Sequence, residues 1–86
     1  MTRLDVKTTV LEELGNIAPE ADIGGLQGDA VLRDELDIDS MDFLNFVIAL
    51  HARLGIDIPE ADYGRLVSIK AIVDYLTARL GEAQTH

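Results

Sequence analysis

The segment SMDFLNFVIALHARL, from Ser40 to Leu54, constrains the chain more than any other. Asp39 stands before it as a helix cap, Asp42 lies in its first turn and Gly55 follows as a stop, so the segment predicts one helix. At about 100° per residue, Phe43, Phe46, Val47, Leu50 and Leu54 share one face. Met41, Leu44 and Ile48 form a second apolar stripe on another part of the circumference. A surface helix of a small domain needs one apolar face. The first face demands other helices as a core. The second demands either a covering loop or a partner.

The flanking sequence supplies those helices. Val6, Val10, Leu11 and Leu14 recur at helical spacing from Arg3, and Gly15 is expected to end this first helix. Residues 16 to 38 contain Pro19, Gly24, Gly25 and Gly28, too much punctuation for one regular element, and predict a long loop. Its apolar residues Ile17, Ile23, Leu26, Val31, Leu32, Leu36 and Ile38 can anchor it, with Asp29 capping a short turn through Val31 and Leu32. After Gly55, Ile56-Asp57-Ile58-Pro59 reads as an extended connector and Pro59 as the first residue of a short third helix over Glu60 to Gly64. Ser68 caps a last helix whose stripe is Ile69, Ile72, Val73, Leu76 and Leu80. The predicted fold is all-α: a small four-helix bundle with a long first loop and a short third helix. Residues 1–80 form its single domain, and Gly81 to His86 are expected to be a flexible tail.

Composition narrows the function. Sixteen acidic residues against seven basic ones give a formal charge of −9. That balance disfavours nucleic acid and anionic membranes and favours proteins with basic patches. With no cysteine the chain has no disulfide, thiolate metal site or thiol of its own. The start of the chain lacks an apolar signal core and no run is long enough to span a bilayer, so a cytoplasmic monomer without membrane insertion is expected. Catalysis is not expected. His51, the histidine outside the tail, stands about 16 Å along the helix from Ser40, beyond reach as its base. An EF-hand reading of Asp37 and Asp39 fails, because Met41 takes a ligand position, Asp42 replaces the required glycine and Ile48 replaces the bidentate glutamate. No metal site is assigned.

Asp34, Glu35, Asp37, Asp39 and Asp42 gather around the lone Ser40, with Arg33 the only nearby base. Such a field would steer a basic enzyme towards that hydroxyl. The run Leu36-Asp37-Ile38-Asp39-Ser40-Met41-Asp42 resembles the phosphopantetheine attachment motif of acyl carrier proteins, in which Asp-Ser-Leu or Asp-Ser-Met opens the second helix. The likeness in order and spacing continues through Ile58-Pro59-Glu60 and Ser68-Ile69 to Asp74-Tyr75-Leu76, from about Val31 to Leu80. The resemblance implies that Ser40, preceded by Asp39, takes 4′-phosphopantetheine from coenzyme A through a phosphopantetheinyl transferase. It implies further that the arm's thiol carries acyl groups, and that Asp37, Met41, Asp42, Leu44 and Ile48 face acyl-loading and acyl-processing enzymes of fatty-acid, polyketide or related metabolism. Asp39 and Asp42 would repel the phosphate, which implies an arm held outward.

The chain also departs from that family. Better-known members carry glutamates along the middle and end of the second helix, where this chain has Asn45, His51, Ala52 and Arg53. The difference favours a carrier dedicated to a specialised pathway, and Phe43 beside Ser40 would reshape any acyl cavity. Two other readings stay open at this level. An aminoacyl carrier would use the same serine and arm. A non-covalent acidic helical interaction module would keep the fold without the arm.

Overall fold

Each long helix begins at a side-chain cap: Thr2, Asp39 and Ser68. The computed structural model describes residues 2–36 and 38–84. Helix α1 spans Arg3–Ile17 and opens with a reciprocal capping box: the Thr2 hydroxyl accepts from the Asp5 N–H, and the Asp5 carboxylate accepts from the Thr2 N–H. Those bonds to Thr2 hold the Asp5 carboxyl below its ordinary range. The helix does not stop at Gly15, where nothing crowds the backbone. It runs to Ile17 and ends at Ala18, which precedes Pro19 and is driven out of the helical region by the proline ring.

The long loop follows, with a 3₁₀ turn at Ile23–Gly25 capped by the Asp22 carboxylate. A single helical turn, α2, covers Leu32–Glu35. Asp29 does not cap it. Its first residue is instead held from a distance, by donation from the Leu32 N–H to the Val67 carbonyl at 2.9 Å. A second long-range bond, from the Lys70 N–H to the Gly28 carbonyl at 2.8 Å, ties the loop to the start of the last helix. That bond satisfies one of the donors a helix start leaves free.

Helix α3 spans Ser40–Leu54, bracketed by Asp39 and by Gly55 in the left-handed conformation at φ 69°. A 3₁₀ helix at Glu60–Arg65 takes the place of the expected short third helix, and Pro59 precedes it in extended conformation rather than occupying its first position. Helix α4 spans Ile69–Gln84, with the Ser68 hydroxyl accepting from the Ala71 N–H at 3.1 Å. The flexible tail expected from Gly81 is thus helical through Gln84, and residues 85 and 86 lie outside the described residues. A lone glycine within a helix costs only about 1 kcal/mol, too little to stop one with neighbours that continue the turn.

The core is the meeting of three faces: Val6, Val10 and Leu14 of α1, Phe46, Val47 and Leu50 of α3, and Ile69, Ile72, Val73 and Leu76 of α4. Leu32, Leu36, Ile56 and Leu66 close its ends. At the periphery Arg53 of α3 grips Glu12 and Glu13 of α1, and Arg3 pairs with Asp74 of α4. Tyr75 donates to Asp62 at 2.6 Å, tying the 3₁₀ helix to α4. Burial pushes the Tyr75 phenol above its ordinary range, and the bond to Asp62 pushes it the same way. No helix among the described residues is long and apolar enough to cross a membrane.

Phe46, 1% exposed, is the largest fully buried side chain. Phe46→Ala is expected to cost about 3–5 kcal/mol, a large part of the roughly 5–15 kcal/mol available to a single domain. Urea titration followed by circular dichroism should show the midpoint collapsing towards zero denaturant.

Candidate functional site

Ser40 is the first helical residue of α3. Its side chain is exposed, and no hydrogen bond engages its hydroxyl among the described residues. The position is fixed by its neighbours. The Asp39 carboxylate accepts from the Asp42 N–H at 2.8 Å, and the Asp42 carboxylate approaches the Asp39 N–H at 3.4 Å. This reciprocal pair holds the first turn while leaving the N–H groups of Ser40 and Met41 without helical acceptors. A fixed helix start carrying an exposed hydroxyl and free amide donors is chemically fitted to a phosphodiester on that oxygen.

The second stripe of α3 is open. Met41 is 64% exposed, Leu44 37% and Ile48 54%. The loop does not cover them, because Ile23, Leu32 and Leu36 are buried in the common core instead. Asp39 is exposed and Asp42 half-buried on the same helix start, with Asp34 and Glu35 exposed on α2. Asp37 lies outside the described residues.

Sequence reasoning missed the other wall of the site. A groove of about 540 Å³ runs beside Ser40, walled on one side by Phe43 and Leu44 and on the other by residues of α2 and of the 60–67 segment. Tyr63 and Leu66 contribute its apolar lining, and Arg33 and Glu60 are the charged residues on it. Phe43 belongs to this lining. Its ring packs edge-on to Tyr63 at 5.9 Å between centroids and tilted against Phe46 at 6.2 Å, linking the groove to the core. The aromatic pair was not visible in the sequence, since Phe43 and Tyr63 sit on elements whose spacing shows no common period. The exposed Val67, next to the backbone bond from Leu32, completes the rim.

Further along α3, His51 is engaged with the turn that ends the helix: Nδ1 donates to the Ile56 carbonyl at 2.9 Å and lies 3.4 Å from Asp57. Arg53 is occupied by Glu12 and Glu13, whose hydrogen bonds raise its already high pKa. Neither residue gives the carboxyl-terminal half of α3 a free acidic face.

Comparison with known proteins agrees with this geometry. Residues 5–76 match the phosphopantetheine attachment site family. The chain is 35% identical to the acyl carrier protein of Campylobacter hominis, over 84% of this chain and 85% of that one. It is 31% identical to the acyl carrier protein of Campylobacter fetus, over 84% and 87%. Among solved structures it resembles the hexanoyl acyl carrier protein of the actinorhodin polyketide synthase of Streptomyces coelicolor. That likeness has a TM-score of 0.71 at 25% identity, covering 96% of this chain and 94% of the other. The 3-oxo-butyl form of that carrier gives a TM-score of 0.68 at the same identity and coverage. The fold and the matched sequence therefore define a phosphopantetheine-bearing carrier domain rather than an enzyme. The chain belongs to the acyl carrier protein family.

Removing the Asp39 cap tests how the site is held. Asp39→Ala deletes the acceptor for the Asp42 N–H and is expected to cost about 1 kcal/mol. Amide exchange should accelerate at Asp42 and in the first turn of α3, while the buried amides around Leu50 keep their protection relative to global unfolding.

Proposed function

We propose that this chain, a cytoplasmic monomer, carries acyl groups as thioesters on a 4′-phosphopantetheine arm attached to Ser40. The observation that carries the reading is the exposed, unbonded Ser40 hydroxyl at a rigidly capped helix start, opening on an apolar groove. The arm, when attached, supplies the thiol that a chain without cysteine lacks. Ser40 contributes the oxygen of the phosphodiester, and Asp39 and Asp42 keep that oxygen on a helix end that cannot fray freely.

Partner enzymes would approach along α3. Asp34, Glu35, Asp39 and Asp42 present negative charge around Ser40, and such charge speeds the encounter with a basic surface more than it tightens the final complex. Met41, Leu44 and Ile48 supply the apolar contact beside it. Asp37, assigned to the same surface by resemblance, lies outside the described residues. The phosphopantetheinyl transferase and the acyl-loading and acyl-processing enzymes would share this surface.

A specialised pathway is favoured over a housekeeping fatty-acid synthase. The middle and end of α3 display Asn45, His51 and Ala52, and Arg53 there is committed to α1. A partner selecting a continuous acidic ridge along the whole helix would find charge only at its start.

Intact mass after incubation with coenzyme A and a phosphopantetheinyl transferase tests the attachment. A gain of one phosphopantetheine, abolished in a folded Ser40→Ala variant, is expected. Modification that persists in Ser40→Ala would refute the assignment. For the docking stripe, Ile48→Glu should leave helicity and stability within about 0.5 kcal/mol, as at other exposed positions, while lowering the rate at which the transferase modifies the protein. Unchanged modification kinetics would remove Ile48 from the docking surface.

A further inference from the structure

The chain has five arginines, and the structure engages four of them. Arg3 pairs with Asp74, Arg53 with Glu12 and Glu13, Arg65 stacks over the Tyr75 ring, and Arg79 both covers that ring and donates to the Asp57 carbonyl. Arg33 makes no ion pair, hydrogen bond or ring contact among the described residues. Asp34 and Glu35 adjoin it in α2, and Arg33 lines the groove that also contains Ser40.

The groove needs a cation there if an anion is attached at Ser40. Asp39 and Asp42 already place two carboxylates at the start of α3, both locked in the capping box and unable to turn away. A phosphodiester on Ser40 adds a third negative charge at close quarters. The free N–H groups of Ser40 and Met41 offset part of this repulsion, and a guanidinium on the facing wall can offset more, since its planar fork takes two phosphate oxygens at once. Glu60, the other charged lining residue, cannot serve. Among the described residues Arg33 is the one cation of the groove lining, and it has no competing partner to give up.

We propose that Arg33 is a positioning residue that binds the phosphodiester of the arm and turns the arm into the groove, along Phe43, Tyr63 and Leu66, instead of outward into solvent. The proposal rests on attachment at Ser40. Its chemistry is that of a bidentate guanidinium–phosphate pair at the first charged group of the arm. The apolar lining beyond it then receives whatever part of the arm follows.

The test uses the full chain, ¹⁵N-labelled, in apo and holo forms of wild type, Arg33→Gln and Arg33→Lys. Mass spectrometry first confirms one phosphopantetheine per molecule in each holo sample, and matching apo spectra confirm that the variants fold alike. On conversion of wild type to holo, the Arg33 Nε–H resonance should shift and become protected from solvent exchange, and the pantetheine methyl groups should show nuclear Overhauser contacts to Tyr63 and Leu66. Those contacts should vanish in Arg33→Gln and be weakened in Arg33→Lys, which keeps the charge but not the fork. High salt should weaken them in wild type as it screens the pair. An Arg33 Nε–H unchanged between apo and holo wild type, or contacts equal in wild type and Arg33→Gln, would overturn the proposal while leaving the carrier reading intact. Absence of any mass gain in wild type would overturn the carrier reading, and the proposal with it.

Discussion

The rotation of α3 about its own axis governs everything the site offers, and the burial of Phe46, Val47 and Leu50 sets that rotation. These three side chains are removed from water by joining the core that α1 and α4 also enter. Burying side chains of this size is worth about 1.5–3 kcal/mol each. A turn of the helix that covered Met41 and Ile48 would expose Phe46, Val47 and Leu50, which already fill the core. The outer stripe is therefore left in solvent by the stronger claim of the inner one. Ser40, on the same rigid helix, is held at the margin between the two.

Two backbone hydrogen bonds then decide where the long loop goes. Donation from Leu32 to Val67 and from Lys70 to Gly28 fastens the loop to the approach and first turn of α4, away from the outer face of α3. Burial of Ile23, Leu32 and Leu36 acts in the same direction. One consequence is an uncovered apolar stripe. The other is a groove, because α2 and the 60–67 segment stand off from α3 with Phe43 and Tyr63 between them. The same packing thus leaves an exposed apolar stripe and an apolar groove beside one serine.

What could be read from the sequence follows the range of the interactions involved. Asp39, Gly55 and Ser68 act within one turn of their own positions, and each is found where its chemistry placed it. The core faces of α1, α3 and α4 were legible because helical periodicity is also local. The remaining features depend on more than local spacing. Gly15 and Gly81 stand inside helices, because their neighbours continue the turn, and α1 ends only where Pro19 drives Ala18 out of the helical region. Asp29 was expected to cap α2, whose first N–H is satisfied instead by Val67, far along the chain. The groove itself joins residues from α2, α3 and the 3₁₀ helix, and no spacing rule connects Arg33 to Tyr63.

Charge at this site answers two opposed needs. On the proposed reading, acids around Ser40 would raise the encounter rate with basic enzymes, and that benefit depends on their remaining exposed and outside ion pairs, as Asp34, Glu35 and Asp39 are among the described residues. The same charges disfavour a phosphodiester among them. Moving the acids away would weaken steering, whereas neutralising them with several arginines would cancel it. A single guanidinium on the opposite wall of the groove resolves the conflict by geometry. Repulsion and attraction both act at short range inside the site, where screening is least, while an approaching enzyme at a Debye length of about 8 Å feels the sum, which stays negative. Confining the cation to the groove preserves the long-range field and still gives the anion a counter-charge.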